Sequence, residues 1–188
     1  MRIIAGKYRG RNLKSPPSLE VRPTSDRLRE TLFNVIAPRI AGSSFLDLCA
    51  GSGAVGIEAL SRGASHVTFV DRSRKMCALV ESNLDLCRIP EDETEVVQSE
   101  ALAFLKRTEN RQDMEPWNIV YFDPPYAIDY LPLLEGLGKE SPNLIAEDGL
   151  LVVEHHHKNL LNDTFGRLTR TRTLKQGDSA LSFYEIDG

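Results

Sequence analysis

Phe45-Leu46-Asp47-Leu48-Cys49-Ala50-Gly51-Ser52-Gly53-Ala54-Val55-Gly56 decides the fold. Phe45 to Cys49 has the apolar density of a buried strand. Gly51, Gly53 and Gly56 then follow at G-x-G-x-x-G spacing, and the chain to Ser61 continues as a helix. Asp71 closes the next strand, 20 residues after Gly51. A strand, a glycine turn, a helix and a second strand ending in an acid form a mononucleotide-binding unit, in which small residues let the backbone approach a ligand and the acid accepts ribose hydroxyls. Two ligands compete on this pattern: a dinucleotide such as NAD, and an adenosyl sulfonium such as S-adenosylmethionine. Asp47 favours the second. A carboxylate at the end of the first strand repels a pyrophosphate and attracts an ammonium. The bland alternative for Asp47 is a cap or turn ligand. No Lys follows the last glycine, so a phosphate-cradling P-loop is not expected.

The same alternation continues outward. The sequence predicts strands at His66–Asp71, Glu95–Gln98, Trp117–Phe122 and Gly149–Glu154. Helices are expected from about Ser73 to Cys87, from Ala101 to Arg107 and around Tyr130–Lys139. The tail, Thr164–Thr173 and Ala180–Ile186, reads as a hairpin. Such alternation implies right-handed crossovers and a doubly wound parallel sheet of about seven strands, closed by an antiparallel pair. Upstream, Arg2–Ala5 and Gly10–Leu13 read as a short hairpin and Ser15–Ser18 as a loop. A helix capped by Thr24 or Ser25 runs to about Ala37, with Leu28, Leu32, Phe33 and Ile36 as its core stripe and Pro38 as its stop.

Asp123-Pro124-Pro125-Tyr126 follows the fourth of these strands, at the sheet edge where ligands of open α/β folds bind. Two prolines stiffen the turn and expose carbonyls. An exocyclic amine on a nucleobase is a weak nucleophile, because its lone pair is delocalised into the ring. A carboxylate and a carbonyl can hold both N–H groups and aim that lone pair at a methyl carbon, while Tyr126 offers a ring for stacking. A base embedded in structure would first be turned out.

Composition sets the outer bounds. The 188 residues are 41% apolar and 27% charged, as for one soluble globule. No apolar run approaches a membrane span, and the N-terminus has no signal-like apolar stretch, so a cytoplasmic protein is expected. Cys49, Cys77 and Cys87 make neither a disulfide framework nor a CxxC metal pair. The net charge of −4 hides a gradient: residues 1–40 hold nine Lys/Arg and three acids, and the remainder holds 14 basic and 24 acidic residues. A basic arm on an acidic body points to a phosphate-bearing partner. A second basic stretch holds Arg167, Arg170, Arg172 and Lys175. His155, His156 and His157 read as a strand-end loop rather than a metal site, since no Cys accompanies them. Trp117 reads as core, and the acids at 91–95 as a solvated loop.

Taken together, Asp47 to Gly56, Asp71 and Asp123 to Tyr126 resemble the class I S-adenosylmethionine-dependent methyltransferases that modify base amines. Three further stretches narrow the likeness: Arg2-Ile3-Ile4-Ala5-Gly6-Lys7-Tyr8-Arg9-Gly10-Arg11, Arg22-Pro23-Thr24-Ser25-Asp26-Arg27-Leu28-Arg29-Glu30 and Lys175-Gln176-Gly177-Asp178. With them the chain resembles the bacterial family that methylates N2 of a single guanine, guanine 966, of 16S ribosomal RNA. The resemblance implies a Rossmann-like methyltransferase body over 41–188 and a basic hairpin-and-helix extension over 1–40. It implies that Asp47, Gly51, Gly53, Asp71 and Glu100 bind the cofactor, with Glu100 where such enzymes usually carry Asp. By the same resemblance the Arg22-Pro23-Thr24 segment is expected to close over the cofactor site, with Arg22 and Arg29 near the cofactor carboxylate or RNA phosphate. Asp123, Pro124 and Tyr126 hold the guanine. Arg2, Lys7, Arg9, Arg11 and Pro125 contact RNA. The expected partner is 16S rRNA in a partly or fully assembled 30S subunit, met by a monomer. Alternatives are a DNA adenine-N6 or cytosine-N4 methyltransferase, an NAD-dependent oxidoreductase, which leaves the Asp-Pro-Pro-Tyr turn unexplained, and a non-catalytic RNA-binding module.

Overall fold

A computed structural model describes residues 1–16, 26–109, 115–125, 130–139 and 144–186. Among these, eight strands form one mixed sheet: β1 Ser44–Leu48, β2 His66–Asp71, β3 Thr94–Gln98, β4 Trp117–Phe122, β5 Ile145–His156, β6 Thr164–Phe165, β7 Leu168–Gln176 and β8 Ser179–Ile186, in the order β3-β2-β1-β4-β5-β8-β7-β6. β1 to β5 are parallel, and β8, β7 and β6 continue the sheet antiparallel. The strand order reverses between β1 and β4. The loops after these two strands therefore flank one crevice at the carboxyl edge.

Helices cover both faces. α1 Asp26–Ile40, α2 Ala54–Ser61 and α3 Arg74–Cys87 pack on one face, together with Ile3, Tyr8 and Leu13 from the N-terminal hairpin. α4 Ala101–Thr108 and α5 Leu131–Leu137 cover the other face. The central strands feed both cores by alternation: Phe45 enters the first core, and Leu46 and Leu48 enter the second. Gly56 is required by this packing, because a Cβ there would come within 2.3 Å of the Phe69 ring.

The structure refines several expectations. The sheet has eight strands rather than about seven, since the tail's first half breaks at Gly166 into β6 and β7. Gly166 has φ +56°, and a Cβ on it would strike the Gly138 carbonyl. β5 begins at Ile145, not Gly149, and runs on to take in His155 and His156. Pro38 does not stop α1. The helix continues to the buried Ile40, giving up the hydrogen bond that the proline nitrogen cannot donate. The N-terminal hairpin closes with a single bridge, Arg2 to Asn12, supported by Ile3 N–H to Arg11 O and Gly10 N–H to Ile3 O. The acids at 91–93 form one exposed 3₁₀ turn, and Trp117 is buried as expected. No helix among the described residues is long and apolar enough to cross a membrane.

Candidate active site

The glycine loop and the Asp-Pro-Pro turn meet across the crevice. The backbone N–H of Asp123 donates to Leu48 O, which carries the β1–β4 register one residue past both strands. Asp123 is thereby fixed beside Cys49 at the start of the glycine loop. Its side chain is half-buried, Pro124 is buried and Pro125 is exposed. Tyr126, Arg22 and Thr24 lie outside the described residues.

The loop itself is shaped by its glycines and by two acids. Gly51 and Gly53 have φ of +56° and +75°, which side chains disfavour, and the space in front of Gly51 is open. Cys49 shares the left-handed conformation at φ +66°, a strain located at the mouth of the crevice. Asp71 accepts N–H groups from Gly51 at 2.9 Å and Ser73 at 2.8 Å, so the second strand's acid ties the loop to the start of α3. Asp47 is 1% exposed and accepts the Gly56 N–H at 3.0 Å, in the first turn of α2. This is the cap geometry weighed against a ligand role in the sequence. Burial raises the Asp47 carboxyl to about 7, with the nearby Asp71 adding to the rise and the Gly56 N–H opposing it.

Cys49 reports on the whole cluster. Its thiol is pushed up to about 12, first by burial and then by the charges of Asp71, Asp123, Asp47 and Glu100. The charges of four acids from separate stretches of sequence are thus felt at one thiol. Beside them opens a cavity of about 470 Å³, lined among others by Asp71, Ser99, Glu100, Phe122, Pro125 and Leu133. Arg72 and Lys106 line it as well, so the rim carries both signs over an apolar floor, a slot suited to a flat ring that carries hydroxyls. Glu100 is exposed and stands 3.9 Å from Arg72 at the rim.

Not every predicted residue reaches the site. Arg29 is fully buried, donating from Nη2 to Arg2 O and to Asp26, with Nε 3.9 Å from the Glu58 carboxylate. It meets neither solvent nor the crevice and is a core ion pair instead. Arg11 is half-buried, and its guanidinium donates to Cys87 O at the end of α3, a favourable position for a cation. Arg2, Lys7 and Arg9 are exposed along the hairpin. That hairpin lies along α2, from Ser52 near Met1 to Ser61, whose carbonyl accepts the Lys7 N–H.

Two buried polar residues escaped the sequence reading. Asn83 of α3 donates to Ser52 O and Lys14 O and accepts the Lys14 N–H, so it joins the glycine loop to the strap leaving the hairpin. Glu58 of α2 receives the N–H groups of Ile4 and Ala5 and the Arg62 guanidinium. Each was detectable as a polar residue on an otherwise apolar face. Partners so distant in sequence were not.

Residues 1–185 match the family model described as conserved hypothetical protein 95. Over 154 residues the chain is 42% identical to ribosomal RNA small subunit methyltransferase D of Escherichia coli (strain K12), covering 82% of this chain and 71% of the relative. It is 37% identical over 188 residues to YlbH of Bacillus subtilis (strain 168), which is provisionally named an rRNA methyltransferase, with both chains fully covered. The solved structure of yhhF from Escherichia coli, provisionally named a methyltransferase, superposes with a TM-score of 0.84 at 36% identity, over 100% of this chain and 98% of that one. With the strand order, the glycine loop and the Asp-Pro-Pro turn all in place, the chain belongs to the conserved hypothetical protein 95 family and has its methyltransferase fold.

Proposed function

We propose that the protein transfers the methyl group of S-adenosylmethionine to the exocyclic N2 amine of a guanine in 16S ribosomal RNA. One observation carries this reading: the Asp123-Pro124 turn is held level with Leu48 and Cys49, across the strand-order reversal from the glycine loop. The similarity to a small-subunit rRNA methyltransferase supports the substrate. S-adenosylmethionine, when bound, supplies a methyl group already activated by its sulfonium. The protein then has to bind, aim and desolvate. Asp71 takes the ribose hydroxyls and Glu100 faces the adenine rim. Asp47, Gly51 and Gly53 take the methionine end, while Arg22 and Thr24 close over it. The Asp123 carboxylate and the Pro124 carbonyl accept the two amine N–H groups, and Tyr126 stacks on the base. The carboxylate also stabilises the positive charge that grows on the attacking nitrogen. On this reading residues 1–40 grip RNA and residues 41–188 form the methyltransferase body. The protein works as a monomer on an assembling 30S subunit in the cytoplasm. The deciding experiment is methyl transfer from labelled cofactor to 16S rRNA and 30S particles lacking the modification, followed by nucleoside analysis. N2-methylguanosine is expected; N6-methyladenosine, or no transfer to RNA, would overturn the reading.

The raised carboxyl of Asp47 gives a pH test. In the unfolded chain this group ionises near its ordinary 3.8, and in the fold near 7. Folding therefore favours the protonated acid, and Asp47 takes stability away as pH rises from about 4 to about 7. Pairing with the cofactor's ammonium needs the carboxylate, so binding below pH 7 must release a proton. Cofactor affinity measured by calorimetry should rise about tenfold between pH 6 and pH 8 and then level. Asp47→Asn should flatten that profile and bind more weakly throughout. A parent profile that is already flat removes Asp47 from the cofactor site.

The hairpin yields a second test. Arg9→Gln should weaken RNA binding and reduce its salt slope by about 0.7 to 0.9, the share of one phosphate contact, without lowering the melting temperature. Arg11→Gln should lower the melting temperature as well, because its guanidinium ends α3. An unchanged slope for Arg9→Gln would take the hairpin out of the interface.

A further inference from the structure

The cofactor half of the crevice lies over β1, β2 and β3, where Asp47, Asp71 and Glu100 stand. The target base on the proposed reading sits at the end of β4. RNA that leaves the target on the side away from the cofactor passes over β5 and the β8–β7 hairpin, the next strands in the sheet. The hairpin arm does not cover that ground. It lies along α2 and ends against Ser61 and Cys87, the C-terminal ends of α2 and α3 and hence the far side of the sheet from the crevice.

What the β5 end presents is a pair of imidazoles. Register places Phe122 opposite Val153, so Asp123 is level with Glu154. His156 is then two residues further on the neighbouring strand, about 7 Å along and about 5 Å across. Ser179 pairs with both His156 and Gln176, which sets His156, Ser179 and Gln176 in one row across β5, β8 and β7. The His156 and His157 rings are stacked, with centroids 4.8 Å apart and planes 23° from parallel, and both are half-exposed. His155, by contrast, is buried and bonded to Ser182.

With Asp178, these two histidines bring ligand-type atoms within 4.8 Å of one another. The ring arrangement nevertheless opposes a metal. His157 Nδ1 lies 3.1 Å from the Asp178 carbonyl, which only accepts, so it carries the proton. His156 Nδ1 accepts the Lys158 N–H, so the neutral ring's proton is on Nε2. One lone pair remains between the two rings, and near-parallel rings do not converge on one ion. Stacked, half-exposed rings followed directly by the exposed Lys158 instead match what a single-stranded nucleotide needs, a flat π face and a cation for phosphate. The exposed Asp178 and the buried Glu154 are the nearby acids, and Glu154 accepts the Tyr121 hydroxyl at 2.5 Å.

We propose that the His156–His157 pair, with Lys158, seats the nucleotide next to the methylated base. This inference rests on the rRNA methyltransferase reading. The test is steady-state methylation of 30S particles by the double variant H156A/H157A. KM for the particle should rise about tenfold, the loss of one stacked base, with kcat within twofold and cofactor affinity unchanged. His157→Tyr should keep KM near the parent value, because stacking needs a ring and not an imidazole. An unchanged KM for H156A/H157A overturns the proposal while leaving rRNA methylation intact; a parent protein that methylates no rRNA overturns both. A KM that responds to zinc or a chelator also overturns it. If the double variant melts early, 4-thiouridine placed beside the target nucleotide decides the matter with the parent protein. A crosslink within residues 156–158 supports the proposal, and crosslinks confined to other segments refute it.

Discussion

Asp123→Ala is expected to slow methyl transfer at least about a hundredfold, the usual cost of losing a group aimed at charge that develops in the transition state. Cofactor affinity should stay within a few-fold, because the Asp71 and glycine-loop contacts are untouched. The fold should also hold, since the turn is pinned by a backbone bond, Asp123 N–H to Leu48 O, and by the buried Pro124. Asp123→Asn keeps an acceptor but loses the charge, so it should fall between parent and alanine variant. Single-turnover rates with saturating 30S particles separate this effect from RNA binding. A control that needs no activity is available in Cys49. Its thiol is held up first by burial and in part by the Asp123 charge, so its titration should move down in Asp123→Ala. A near-normal rate would show that the carboxylate does not hold the reacting amine. An unmoved thiol would show that it does not face the crevice at all.

The same site shows how far sequence alone carries. The glycine spacing, Asp71 and the Asp-Pro-Pro turn were legible because each obeys a local rule: φ beyond the reach of side chains, an acid at a strand's end, a rigid turn after a buried strand. Their convergence followed from strand alternation, which fixes the order reversal between β1 and β4. The long-range polar pairs were not legible. The resemblance sets Arg29 near the cofactor carboxylate or an RNA phosphate, on the strength of its sequence segment alone. Its helix turns it inward instead, since Leu28, Leu32, Phe33 and Ile36 set the buried face and position 29 falls beside it. Arg11 belonged to the same charge run and went to a helix terminus. Charge counts give the sign of a surface, and packing decides which cations remain on it. The histidine tract divides for a related reason. Strand alternation sends His155 to one face and His156 to the other, so three identical neighbours have different surroundings.

Glu58→Ala should be the most destabilising single change that leaves the crevice intact. The Glu58 side chain is fully buried, accepts the Ile4 and Ala5 N–H groups at 2.8 and 3.0 Å and pairs with Arg62 at 2.8 Å. Its Oε2 lies 3.9 Å from Arg29 Nε, on a side chain with 0% exposure. Arg29 pairs with Asp26 through Nη2 and with Glu58 through Nε, and of these two acids only Glu58 is buried, so losing it leaves the guanidinium under-compensated in the core. Removing one partner of such a pair costs about 3–5 kcal/mol, because the other charge stays in the core. At about 2–4 °C per kcal/mol for a domain of this size, the melting temperature should drop on the order of 10 °C. Amide exchange should quicken first at Ile4 and Ala5, whose N–H groups lose their acceptor. At a temperature where the variant is folded, kcat should match the parent, since Asp123 and the glycine loop sit at the other end of α2. The double variant E58L/R29M should recover part of the loss by deleting both charges, and not all of it, because the two hairpin N–H groups still lack a partner. If Glu58→Ala melts with the parent, the ion pair does not compensate Arg29.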